Sequence, residues 1–152
     1  MKTLANAQDK EEIERRLRTI RPNSQRRWGK MTVAEMICHS SDAFRVCMGE
    51  KSAKDVSSLF TRTLMKWAAL SVPTKWPHGV KTVPECDPRR EGSAPSDFGH
   101  DMRDLRELLG QFAREPRGFE FQPHPMFGQM TYDEWMRWGY LHMDHHLRQF
   151  GA

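Results

Sequence analysis

Residues 131–151 read TYDEWMRWGYLHMDHHLRQFG, and this stretch decides the fold class. Thr131, Tyr132, Asp133 and Glu134 form a capping box: the Thr hydroxyl accepts from the third helical N–H, and Glu134 reaches back to the cap. Met130 and Trp135 stand where a hydrophobic staple would close over that start. From there the pattern is helical to about Phe150, with Gly151 placed to end it. Trp135, Gly139, His142, His146 and Gln149 follow one helical stripe, and Trp135, Trp138, His142, His145 and Gln149 follow its neighbour. His142 belongs to both stripes and is the histidine expected to point inward.

The same start recurs upstream. Thr32-Val33-Ala34-Glu35 is a second capping box, flanked by Met31 and Met36, and its helix runs to about Met48 before Gly49. Val33, Ile37, Phe44 and Cys47 line one side of it, and Met36, His39, Ala43 and Val46 the adjacent side. Phe98, Met102, Leu105, Leu109 and Phe112 make an unbroken stripe on a further helix, about residues 97 to 114. Ile13, Leu17 and Ile20 mark a helix over about residues 8 to 20. Phe60, Leu64 and Trp67 mark one over about 56 to 71, stopped by Pro73. Between 73 and 95 lie five of the nine prolines, which predicts a long irregular connection rather than a linker between domains. Period-2 alternation is absent, so no strand is expected. The reading is all-α: one domain over residues 1–152, four longer helices packed as a bundle, with the third helix inside a long crossover.

Composition narrows the function. With 29% charged residues and a mean hydropathy of −0.78, the chain reads as a globular protein with a wet surface. No apolar run approaches the roughly 20 residues that span a bilayer, and the polar N-terminus lacks a signal peptide's apolar stretch. The expectation is a cytoplasmic protein with no membrane partner. Three cysteines without CxxC spacing argue against both a disulfide framework and a thiolate zinc site. The net charge of +4 concentrates in Arg15, Arg16, Arg18, Arg21, Arg26, Arg27 and Lys30. That excess is small for a nucleic-acid binder, and Glu11, Glu12 and Glu14 offset it one turn away, so no nucleic-acid partner is expected.

Seven histidines occur. His142 and His146, four apart, can ligate one metal from one face of a helix. Two ligands do not hold a metal, so another helix must contribute, and His39 is the one histidine on the apolar half of another well-capped helix. His145 lies about 100° away from His146 and flanks the site. A true site would hold the His39 and His142 ring nitrogens within about 6 Å of each other. His78 and His124 sit in proline-rich turns, and His100 faces away from the Phe98 stripe. Asp42 stands at i+3 from His39, where it either orients that ring or is simply a solvated charge. Most of the five tryptophans read as core, with Trp135 and Trp138 as pocket walls. Glu35 and Glu134 are occupied by capping, and no phosphate-binding loop or nucleophile elbow is present.

The segment Trp28-Gly29-Lys30-Met31-Thr32-Val33-Ala34-Glu35-Met36-Ile37-Cys38-His39 resembles the second-helix signature of the DinB-like superfamily. His124-Pro125-Met126-Phe127-Gly128-Gln129-Met130-Thr131, Glu134-Trp135, and the run from His142 through His145 and His146 to Gly151 are similar to one branch of it without an assigned reaction. Trp76-Pro77-His78-Gly79-Val80-Lys81-Thr82-Val83-Pro84 is similar to that branch's crossover. The resemblance covers about residues 26 to 151. It implies a four-helix bundle of up-down-down-up order, and a divalent transition metal, zinc or nickel, held by His39, His142 and His146. It also implies frequent homodimers and members that act on small cellular thiols. Together with the spacing, it makes the leading expectation a small metalloenzyme, a hydrolase or thiol transferase, acting on a small-molecule substrate. The rival expectation is a non-catalytic binding or interaction bundle with a structural metal or a metal-free histidine cluster.

Overall fold

The computed structural model describes residues 1–152, and every regular element in it is a helix. In chain order these are α1 (Ala7–Leu17), α2 (Val33–Met48), α3 (Lys66–Ser71) entered through a π-helical turn (Thr61–Met65), a 3-10 turn (Pro84–Cys86), α4 (Phe98–Phe112) and α5 (Tyr132–Gln149). No strand forms; the one isolated bridge pairs His124 with Gly128. No helix is long and apolar enough to cross a membrane.

The helix starts follow the local chemistry. Both capping boxes are closed: Glu35 N donates to Thr32 Oγ1 at 3.2 Å while Thr32 N donates to Glu35 Oε2 at 2.7 Å, and Thr131 with Glu134 repeats both distances. Such a cap contributes about 1 kcal/mol to a helix. α2 ends at Gly49 in the left-handed region (φ 82°), where a residue with a Cβ would be strained. α1 stops at Leu17, earlier than its apolar stripe suggests, yet Ile20 is still buried by the turn that follows.

α2 is the central element. It packs against α4 and α5 and against the 3-10 turn, and nearly all of its residues are buried. α1 and α3 pack on α5. The core joins Phe44, Leu105, Leu109, Phe112, Trp135, Met136 and Met143, all at most 1% exposed.

Two expectations change. Asp42 is not solvated: its carboxylate is fully buried, accepting from Lys51 Nζ (2.7 Å), Ser93 N (2.6 Å) and Ser93 Oγ (2.7 Å), with Arg45 beside it. α2 is covered on that side by the loop around Ser93, and a buried carboxylate persists only with such partners. Burial alone would raise its pKa, but Lys51 and Ser93 outweigh it and hold the group below its usual value. The second change concerns α3. Leu70 is buried, but Phe60, Leu64 and Trp67 point outward, with Trp67 59% exposed. The crossover helix lies on the outside of the bundle, so its helical stripe has no second layer to meet.

Gly139 shows how closely the N-terminal segment approaches α5. A Cβ there would lie 2.6 Å from Leu4 Cδ1 and 2.8 Å from Phe112 Cε1, both in fully buried side chains. Replacing a mid-helix glycine by alanine ordinarily gains up to about 1 kcal/mol. Here Gly139→Ala is expected to lower the urea midpoint instead, because overpacking costs about 1–3 kcal/mol. A rise in the midpoint would refute this close contact.

Candidate metal centre

His39 on α2 and His142 and His146 on α5 meet where the two helices touch. One nitrogen from each ring lies within 4.8 Å of the others, and all three side chains are buried. This falls inside the 6 Å limit expected from the sequence. The ring centroids are 5.2 Å apart for His39–His142 and 4.8 Å apart for both His39–His146 and His142–His146. His145 stays outside this group.

Backbone carbonyls set the tautomers. His39 Nδ1 lies 2.8 Å from the Cys86 carbonyl oxygen, which can only accept, so Nδ1 carries the proton and Nε2 presents its lone pair. Gln149 Nε2 donates to the Trp28 carbonyl at 3.0 Å, which fixes the amide orientation and turns Oε1 toward His146 Nδ1, also at 3.0 Å. His146 Nδ1 is therefore the donor, and its Nε2 is likewise left with a lone pair. His142 Nε2 is buried with no hydrogen-bond partner at all.

Burial and the neighbouring imidazoles push His142 and His146 well below the ordinary histidine range. Burial lowers His39 as well, against the opposing pull of the Cys86 carbonyl. Near neutral pH the cluster is three uncharged imidazoles with lone pairs free on His39 and His146 and an unpartnered nitrogen on His142. An isolated buried polar nitrogen costs about 1–3 kcal/mol, and a shared cation is the partner that satisfies several at once. The residues thus fit a divalent transition metal of the kind that takes imidazole ligands.

The histidines form the floor of a cavity of about 480 Å³. Trp138 lines it, stacked on His142 with centroids 4.8 Å apart, whereas Trp135 is packed in the core behind and is not a wall. His145 faces the cavity with Nδ1 buried and unpaired, and burial, then Arg148, lowers its pKa to about 4. His78 stacks on Trp28 at 4.0 Å. Asp42 does not orient His39; Cys86, on the 3-10 turn, does. The Cys47 and Cys86 thiols line the cavity, but burial raises both, Cys86 to about 12, so neither is a thiolate near neutral pH.

Sequence reading missed three contributors. The Cys86 and Trp28 carbonyls act through their backbone, which carries no residue signal. His124 was legible as a turn residue between two prolines and as part of a family-like motif, but not as a member of the site. Its Nδ1 accepts from Met126 N and Phe127 N, both at 3.1 Å, and its ring stacks on Phe127, placing it in the cavity wall.

These features define a class: an all-helical protein with a buried three-histidine cluster, built from two facing helices at the base of an apolar cavity. The model of the DUF1569 family, described as proteins of unknown function, matches residues 5–152, and the chain belongs to that family. No curated protein and no solved structure matches it.

Burial lowers His124 to about 4. In the unfolded chain it would titrate near the ordinary 6.5. Below pH 6.5 the unfolded state takes up this proton and the folded state does not, so stability present above that pH is lost as the pH falls toward about 4. His124→Asn keeps a side-chain oxygen to cap the Met126 and Phe127 amides but does not titrate. Urea midpoints measured across this range are expected to fall less steeply for the variant. Parallel curves would show that His124 is not held neutral by the fold.

Proposed function

We propose that His39, His142 and His146 hold a divalent transition metal, zinc or nickel, and that the protein is a small metalloenzyme of the DinB-like type. Its helices would then follow the up-down-down-up order with the long crossover. The observation that carries the reading is the buried, unpartnered His142 Nε2 amid two imidazoles that backbone-anchored hydrogen bonds leave with free Nε2 lone pairs. Three histidine ligands leave coordination positions open to water or substrate. When bound, the metal would supply Lewis acidity and lower the pKa of a bound water or thiol. The chain's own groups do the rest. Cys86 and Gln149 orient two rings, Trp138 and the crossover wall the cavity, and His145 presents an uncharged imidazole beside the site. Hydrolysis and thiol transfer both suit this arrangement, and the cavity thiols do not supply a nucleophile of their own.

Elemental analysis of untagged protein purified without chelators is expected to give one equivalent of a single transition metal. His39→Ala, His142→Ala and His146→Ala should each lose it with helical circular dichroism retained, while His145→Ala keeps it. A non-stoichiometric trace of many metals in the unmodified protein, or retention by all three ligand variants, overturns the site. One bound equivalent with no loss on His146→Ala and loss on His145→Ala would reverse the ligand assignment.

The hydrogen-bond chain from Trp28 through Gln149 gives a second measurement. Gln149→Leu removes the acceptor that orients His146 Nδ1, and outer partners of this kind are worth about 10–100-fold in metal affinity. Competition with a chromophoric chelator is expected to show that loss. Unchanged affinity would mean that the amide does not position the ring.

A further inference from the structure

The cavity above the histidines has an uneven chemical inventory. Its wall comes largely from the crossover, where apolar side chains such as Met65, Ala69, Val80 and Val83 dominate. Trp76 Nε1 donates to the Ala69 carbonyl at 2.9 Å, which folds the loop back onto α3 and leaves the indole's apolar face available to the cavity. His124 is occupied by two backbone amides. The fully buried lining atoms without a partner are His142 Nε2 and His145 Nδ1, and the Nε2 lone pairs of His39 and His146 are free beside them, all on the histidine floor.

Charge is equally one-sided. No aspartate or glutamate lines the cavity, while Lys75 and Lys81 do, and both are exposed, which places them at the mouth. Residues 56–84 contain no carboxylate at all and four cations: Arg62, Lys66, Lys75 and Lys81. Arg62 is paired with Asp55 and Lys66 with Glu134. Lys75 and Lys81 make no ion pair, so they are the two charges at this opening without a counter-charge.

An apolar interior, a polar floor and an uncompensated positive rim together describe a ligand. We propose that the cavity takes a small amphipathic anion, with its apolar body against Trp76 and Trp138, its anionic group at Lys75 and Lys81, and its reacting group toward the histidines. A volume of about 480 Å³ suits a single small molecule of this kind. The assignment of the reacting end rests on the metal-site reading above. The assignment of body and anionic group does not, which allows the two to fail separately.

The test is calorimetric titration with decanoate, decanol and decyltrimethylammonium, on protein as purified and after chelator treatment and dialysis. Decanoate is expected to bind about tenfold more tightly than decanol, the scale of a charge-assisted contact, in both preparations, with decyltrimethylammonium the weakest. Lys75→Ala/Lys81→Ala, which changes only exposed side chains, should erase the decanoate advantage and leave decanol unchanged. Ala69→Trp, which fills the cavity from α3, should abolish binding of both. A decanoate advantage that vanishes on chelation would place the anion on a metal rather than on the lysines and overturn the proposal. So would equal binding of all three probes, no binding of any, or binding that survives Ala69→Trp, which would locate the probe on the exposed Phe60, Leu64 and Trp67 stripe. A protein that contains no metal but shows the expected ranking would refute the metalloenzyme reading and leave this one standing.

Discussion

Three imidazoles buried at one helix contact impose a condition on everything around them. Each ring has two nitrogens, each nitrogen needs a partner once water is excluded, and none of the rings can afford a charge there. The protein meets part of this condition with main-chain groups. The Cys86 carbonyl takes the proton side of His39, and the Trp28 carbonyl, acting through the Gln149 amide, takes the proton side of His146. What is left unmet is the pair of Nε2 lone pairs on His39 and His146 and the partnerless His142 Nε2, in a cluster where one nitrogen of each ring lies within 4.8 Å of the others. The position of α2 against α5, the length of the crossover and the fold of the segment before α2 all serve this arrangement. Cys86 reaches His39 from the 3-10 turn, and Trp28 reaches Gln149 from the loop leading into α2.

The same arrangement explains why α2 is buried on nearly every side. A helix that supplies a ligand to the interior and is also covered by the crossover cannot keep a polar face along its length, so Asp42, its one fully buried carboxylate, must be satisfied internally. Lys51 and Ser93 do so, and in doing so pin the loop after the 3-10 turn against the helix. That loop begins just beyond Cys86. The Ser93 hydrogen bonds to Asp42 and the Cys86 carbonyl's hold on His39 are therefore two attachments of one stretch of chain to α2.

The crossover has the opposite character. Its helix is short, begins with a π turn and turns Phe60, Leu64 and Trp67 outward, while Met65, Ala69 and Trp76 close the cavity from the inside. A wall with so few inward contacts is built for enclosing space rather than for filling it. Its charge balance, free of carboxylates over residues 56–84, gives the opening a sign that the floor does not have.

Much of this was legible in the residues themselves. Capping boxes at Thr32 and Thr131 and the stripe from Phe98 to Phe112 determined where three of the helices lie, because caps and helical periodicity are local properties. The i, i+4 spacing of His142 and His146, with His39 on the apolar side of another capped helix, determined which histidines could meet. Tertiary structure alone decided the rest. The burial of Asp42, the exposure of Trp67 and the withdrawal of Trp135 from the cavity depend on which faces the neighbouring helices cover, and a stripe shows that a face is apolar without showing what covers it. The tautomers of His39 and His146 depend on carbonyl groups of Cys86 and Trp28, and every residue has a carbonyl, so no side chain marks the ones that matter. Only the folded chain brings those two oxygens to the rings.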